Sequence, residues 1–103
     1  NIILPRYNSY CTPVWHLYVI QVKNKDKRDE LLKYMELNNI QCGIHYPIPI
    51  HKLDAYPELK CQETHLKNCS DISDKIISLP MFPELKEEEI NYIVEKINNF
   101  FES

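Results

Sequence analysis

The chain has 103 residues, 44% hydrophobic and 26% charged, which is the composition of one small folded domain and excludes a disordered segment. Twelve basic and fifteen acidic residues are mixed along it for a net charge of −3, so no basic stripe invites nucleic acid. The apolar runs at 14–22 and 42–50 are too short or too broken by proline to cross a bilayer, and no secretory leader is recognisable.

In chain order, residues 1–13 carry turn-forming Asn, Ser and Thr and two prolines, and read as a lead-in or the end of an interdomain connection. The folded unit is then 14–103. Val14–Val22, rich in β-branched and aromatic residues, predicts a strand buried on both faces or nearly so. Trp15, Leu17 and Val19 are expected to face the core, with Val14, His16, Tyr18 and Ile20 on the other side. Asn24 or Asp26 caps a helix reaching about Leu37, whose Arg28, Leu31, Leu32 and Met35 share a stripe, and Asn38-Asn39 makes a left-handed stop. Ile40–Tyr46 returns as a second strand, with a right-handed crossover if the two strands are parallel neighbours.

Further on, Leu53–Leu59 reads as an irregular or helical turn, and Ser70 caps a helix that turns Ile72, Ile76 and Ile77 inward. Ser78–Pro83, with prolines at both ends of Met81-Phe82, predicts a short extended segment suited to a sheet edge. Glu84, Glu87, Glu88 and Glu89 open a final helix with Ile90, Ile93, Val94, Ile97 and Phe101 at helical spacing. The sum is an α+β domain without internal repeats.

Gly43-Ile44-His45-Tyr46-Pro47-Ile48-Pro49-Ile50-His51 holds the only glycine and two of the four histidines. Pro47 and Pro49 fix their own φ and push Tyr46 and Ile48 into extended conformations, so neither a helix nor a regular ladder runs through. Such a stiffened loop at a strand end suits a binding site, and equally suits a structural turn with filler histidines. Cys61, His65 and Cys69 would share one helix face and could hold a metal, but no fourth ligand is evident and no metal is expected. Cys42 lies three residues before His45, a spacing that sends strand neighbours to opposite faces, so a thiol–imidazole pair is not expected. His16 and Tyr18 read as packing. One glycine cannot make a phosphate-cradling loop. The four cysteines, Cys11, Cys42, Cys61 and Cys69, admit two disulfides in three connectivities. Helical periodicity and an adequate apolar core favour free thiols in a reducing cytoplasm.

Taken together, Val14–Val22, Gly43–His51 and Ser78–Leu85 resemble, in order and spacing, the C-terminal small domain of the DegT/DnrJ/EryC1/StrS family. The resemblance covers about Val14 to Ile97, and Lys60–Ser70 departs from the small, acidic run usual in the family. The family comprises pyridoxal phosphate (PLP) dependent aminotransferases of the aspartate aminotransferase fold, acting mostly on nucleotide-linked keto sugars. The resemblance implies a small sheet with helices on one face, as part of a homodimeric, cytoplasmic enzyme taking its amino group from glutamate. It places PLP and its lysine on a large N-terminal domain, so this chain alone would carry no catalytic residue, hold no cofactor and be inactive. By position in the family's His-Tyr-Pro loop, His45 and Tyr46 are implied to line the substrate side, with His51 just beyond. A dehydratase-like member of the family and a stand-alone ligand-binding or regulatory module are the alternatives. A piece of a larger enzyme should expose an apolar patch around Trp15, Met81 and Phe82.

Overall fold

A computed structural model describes residues 1–62 and 65–102, with the backbone alone at 60–62. The sheet has strand order β1 (Ile2–Ile3), β2 (Tyr18–Val22) and β3 (Ile76–Leu79), antiparallel throughout. Its register pairs Ile2 with Val22 and Ile20 with Ile77. On the far side of β3, Gly43 and Ser78 form an antiparallel bridge, the Gly43 N–H donating at 3.0 Å and the Ser78 N–H at 2.8 Å.

Among the described residues three α-helices complete the fold: α1 (Lys25–Leu37), α2 (Lys67–Ser73) and α3 (Glu87–Glu102). Asn24 caps α1, its side chain accepting from the Lys27 N–H at 3.0 Å. The stop at the other end is a Schellman arrangement. Asn39 takes φ 59°, and the N–H groups of Asn39 and Ile40 donate to the carbonyls of Glu36 and Met35, both at 2.9 Å. At the start of α3 the Lys86 N–H donates to Glu89 Oε2 at 2.8 Å, the reach-back half of a capping box. Ile20, Val22, Leu31, Met35, Ile40, Ile77, Ile93 and Ile97 form one core where α1 and α3 cover the sheet. Tyr34 of α1 and Phe100 of α3 meet at 5.4 Å between ring centroids.

Several expectations are corrected. The strand expected over Val14–Val22 is β2 and begins at Tyr18, after β1 in the segment expected to be a lead-in, and its core face is Tyr18, Ile20 and Val22 rather than Trp15, Leu17 and Val19. Trp15 has φ 37°, so the pleat does not extend back to it and its side says nothing about the side of Ile20. Its ring instead lies 5.8 Å from Tyr7 and 5.1 Å from Tyr18. Ile40–Tyr46 contributes a bridge at Gly43 rather than a full strand, and β3 separates it from β2, so the crossover does not join neighbours. Ile76 and Ile77 lie in β3 rather than on a helix, and Ser70 lies within α2 rather than capping it. A short, fully buried apolar run has no periodicity to distinguish strand from helix. Ile93 and Ile97 of the α3 stripe are buried, whereas Ile90 and Val94 point outward at 45% and 50% exposure. Among the described residues no helix is long and apolar enough to cross a membrane.

Candidate functional site

Ser78 is the fixed point of the site. It is buried in β3, its backbone N–H and carbonyl both engage Gly43, and its Oγ lies 2.9 Å from His45 Nδ1. Gly43 is needed for closeness rather than for a left-handed conformation, since its φ is not positive. A Cβ there would stand 2.9 Å from His45 Cε1, so the imidazole lies directly over the glycine. Among the described residues no group occupies His45 Nε2, and the ring is exposed. Tyr46 follows at 77% exposure, its ring 5.9 Å from the imidazole in an edge-on arrangement.

Along the rest of the loop Tyr46, Pro47, Ile48 and Ile50 are exposed while Pro49 and His51 are buried. A 3₁₀ turn at Ile50–Lys52 follows, and His51 within it is only 3% exposed, with Nε2 3.1 Å from Ser70 Oγ of α2. The sequence groups His51 with His45 and Tyr46; the structure separates them, because the extended Pro49 sets His51 on the inner side.

His45 stands between two hollows. One, of about 640 Å³, runs between the loop and Leu53, Ile72 and Ile76, and its walls are mainly apolar. The other, of about 280 Å³, is bounded by Leu17, Gln41, Cys42, Gly43, Ser78 and Met81 and is more polar. An imidazole tied at one nitrogen and open at the other, beside a phenol, can hydrogen-bond hydroxyls or anionic oxygens. Cys42 adds no nucleophile, since burial pushes its thiol up to about 11.

His16 is exposed, and Tyr18 packs against the core. Cys11, Cys42 and Cys69 are free thiols. The Cys61 side chain of the Cys61–His65–Cys69 set lies outside the described residues, and among those described no three potential ligands gather. Sequence reasoning gave Ser78 and Ser70 no part in the site. The signal available for Ser78 was one hydroxyl inside the apolar run Ile76-Ile77-Ser78-Leu79. PLP does not fit these residues as a bound group, because no described lysine lines either hollow and the loop presents one imidazole where a phosphate would need several donors.

Comparison with known proteins gives a consistent set of matches. The model of the DegT/DnrJ/EryC1/StrS aminotransferase family matches residues 4–98. A pleiotropic regulatory protein of Geobacillus stearothermophilus is 39% identical over 88 residues, 85% of this chain and 23% of that protein. A dTDP-3-amino-3,6-dideoxy-alpha-D-galactopyranose transaminase of Aneurinibacillus thermoaerophilus is 37% identical over 97 residues, 94% of this chain and 25% of that one. The crystal structure of S. venezuelae DesV in complex with a ketimine intermediate superposes with a TM-score of 0.89 at 27% identity, over 99% of this chain and 27% of that chain. The chain thus spans about a quarter of the length of the curated relatives it matches.

Proposed function

Because the chain belongs to the DegT/DnrJ/EryC1/StrS aminotransferase family, we propose that the protein carrying it moves an amino group from glutamate to a nucleotide-linked keto sugar. The observation that carries this reading is the match over 4–98, joined to a relative named as a transaminase of a dTDP-linked amino sugar. When bound, PLP would carry the amino group between the two substrates, and its site is assigned to a part of the protein outside this chain. The protein works as a cytoplasmic homodimer, and this domain closes over the sugar nucleotide.

Within that scheme His45 and Tyr46 orient the substrate. Ser78 holds the imidazole at Nδ1, which leaves Nε2 for a sugar hydroxyl or a pyrophosphate oxygen, and the Tyr46 phenol offers a second contact. Holding two groups ready costs the substrate less orientational freedom on binding, an effect on positioning rather than on proton transfer. His51 is buried behind them and steadies the loop.

The test is the absorption spectrum of the full-length protein with PLP, before and after glutamate, followed by a set of keto-sugar nucleotides. Conversion of bound PLP to the pyridoxamine phosphate form by glutamate, reversed by a sugar nucleotide, is the expected result. Binding of PLP without an internal Schiff base would move the reading to a dehydratase-like reaction, and absence of binding would remove the transaminase reading.

A further inference from the structure

We infer that Ser70 and His51 are a positioning pair that fixes the buried end of the substrate loop, and that Arg28 anchors this pair to α1 through Ser73. This rests on the reading above only in taking the loop that bears His45 and Tyr46 as the substrate loop. The loop is pegged at both ends by the same chemistry. At the exposed end His45 Nδ1 and Ser78 Oγ are 2.9 Å apart, and at the buried end His51 Nε2 and Ser70 Oγ are 3.1 Å apart. Pro47 and Pro49 stiffen the chain between the pegs, so fixing both ends fixes what lies between.

The buried peg continues inward. Ser73 Oγ donates to the Ser70 carbonyl at 2.8 Å, and Arg28 Nη1 donates to the Ser73 carbonyl at 3.0 Å. Arg28 is 5% exposed and occupies a core position of α1, where an aliphatic side chain would avoid the cost of burying a charge. Its guanidinium holds a carbonyl at the C-terminal end of α2, the end a cation favours, while Nε donates to Asp29 Oδ1 at 2.9 Å. A charge placed there constrains α2, and α2 constrains His51. Sugar-nucleotide binding would then depend on a serine that does not touch the substrate.

The experiment uses the full-length protein with Ser70→Ala, Ser70→Thr and His51→Gln, the last keeping a polar nitrogen near the position of Nε2. For Ser70→Ala the KM for the sugar nucleotide should rise about tenfold while the glutamate half-reaction keeps its rate. Hydrogen exchange should quicken by a similar factor at the Lys52 and Leu53 amides, which donate to Pro49 and Ile50 carbonyls, but not at Val22, which donates to Lys75. Ser70→Thr and His51→Gln should restore most of both. Wild-type KM and exchange in Ser70→Ala would overturn the inference, as would equal quickening at Val22 or failure of Ser70→Thr to restore. Should Ser70→Ala not fold, His51→Gln against His51→Ala gives the same comparison. If the wild-type protein shows no glutamate half-reaction, the transaminase reading fails on its own, and the exchange pattern still decides the positioning pair.

Discussion

Replacing Gly43 by alanine should move His45 while leaving stability almost unchanged. The added Cβ would meet His45 Cε1 at 2.9 Å, closer than a carbon contact allows, so the ring must swing and stretch its 2.9 Å link to Ser78 Oγ. Losing a neutral hydrogen bond costs about 0.5–1.5 kcal/mol. Against this, alanine at a site without positive φ restricts the unfolded chain and returns about 0.4–1 kcal/mol. The difference lies between a gain of about 0.5 and a loss of about 1.1 kcal/mol, small beside the stability of a domain. With His45→Ala already present, the clash and the link are both gone, and the same substitution should only stabilise. Urea unfolding of the four proteins in this cycle should therefore give a coupling of about 0.5–1.5 kcal/mol between positions 43 and 45. In the full-length protein, on the reading proposed above, the KM for the sugar nucleotide should rise while the glutamate half-reaction does not change. Equal destabilisation in both backgrounds would refute the reasoning, because Gly43 would then serve the backbone rather than the imidazole.

Other outcomes follow from the same geometry. Asn24→Ala removes the acceptor for the Lys27 N–H and should cost about 1 kcal/mol in urea unfolding, whereas Asn24→Asp should cost little. Burial raises the Cys42 thiol from 9.0 to about 11, so the folded protein keeps this proton to higher pH than the unfolded chain. Its stabilising effect is complete below pH 9.0 and fades as the pH climbs towards 11; unfolding midpoints across that range should fall less steeply in Cys42→Ala. At pH 8, iodoacetamide should label exposed Cys11 and Cys69 before Cys42, and simultaneous labelling would contradict the burial. The isolated chain should bind a hydrophobic dye and self-associate, and Ile48→Lys with Phe82→Lys should reduce both; light scattering unchanged by the pair would place the sticky surface elsewhere.

How much of this was legible in the sequence depended on how far apart the deciding partners lie. The α1 helix was readable because everything that fixes it is local: the Asn24 cap, the Leu31 and Met35 stripe and the Asn39 stop. The Gly43–His51 loop was readable for the same reason, since Pro47 and Pro49 act on their own neighbours. β3 was not, because Ile76-Ile77-Ser78-Leu79 is a strand only by virtue of lying between β2 and Gly43. The face of β2 was misread because alternation was carried through Trp15, where the backbone leaves the extended region. Ser78 and Ser70 stayed invisible as site residues because they meet His45 and His51 across 33 and 19 positions of sequence. Only the fold could assign each histidine its serine.

The exposed apolar surface follows from the same division. α3 turns Ile93 and Ile97 into the core, yet its stripe is wider than this core uses, and Ile90 and Val94 face outward. With Trp15, Tyr18, Leu79 and Met81 they line a hollow of about 330 Å³, next to Phe82 at 46% exposure. This is the region where the sequence predicts an apolar patch, although Trp15 itself is half-buried against Tyr7 and Tyr18. A second apolar rim, Ile48 and Ile50, lies along the loop that follows Tyr46. Neither surface has the polar groups that a sugar nucleotide requires, so both suit contact with protein. His45 stands where the apolar rim meets the polar hollow of Gln41, Gly43 and Ser78. In the proposed enzyme, protein covering the rim would exclude water from one side of the imidazole and leave its other side for substrate. The loop would thus be shaped by contacts on its apolar side and used on its polar one, with its two histidines held by separate serines.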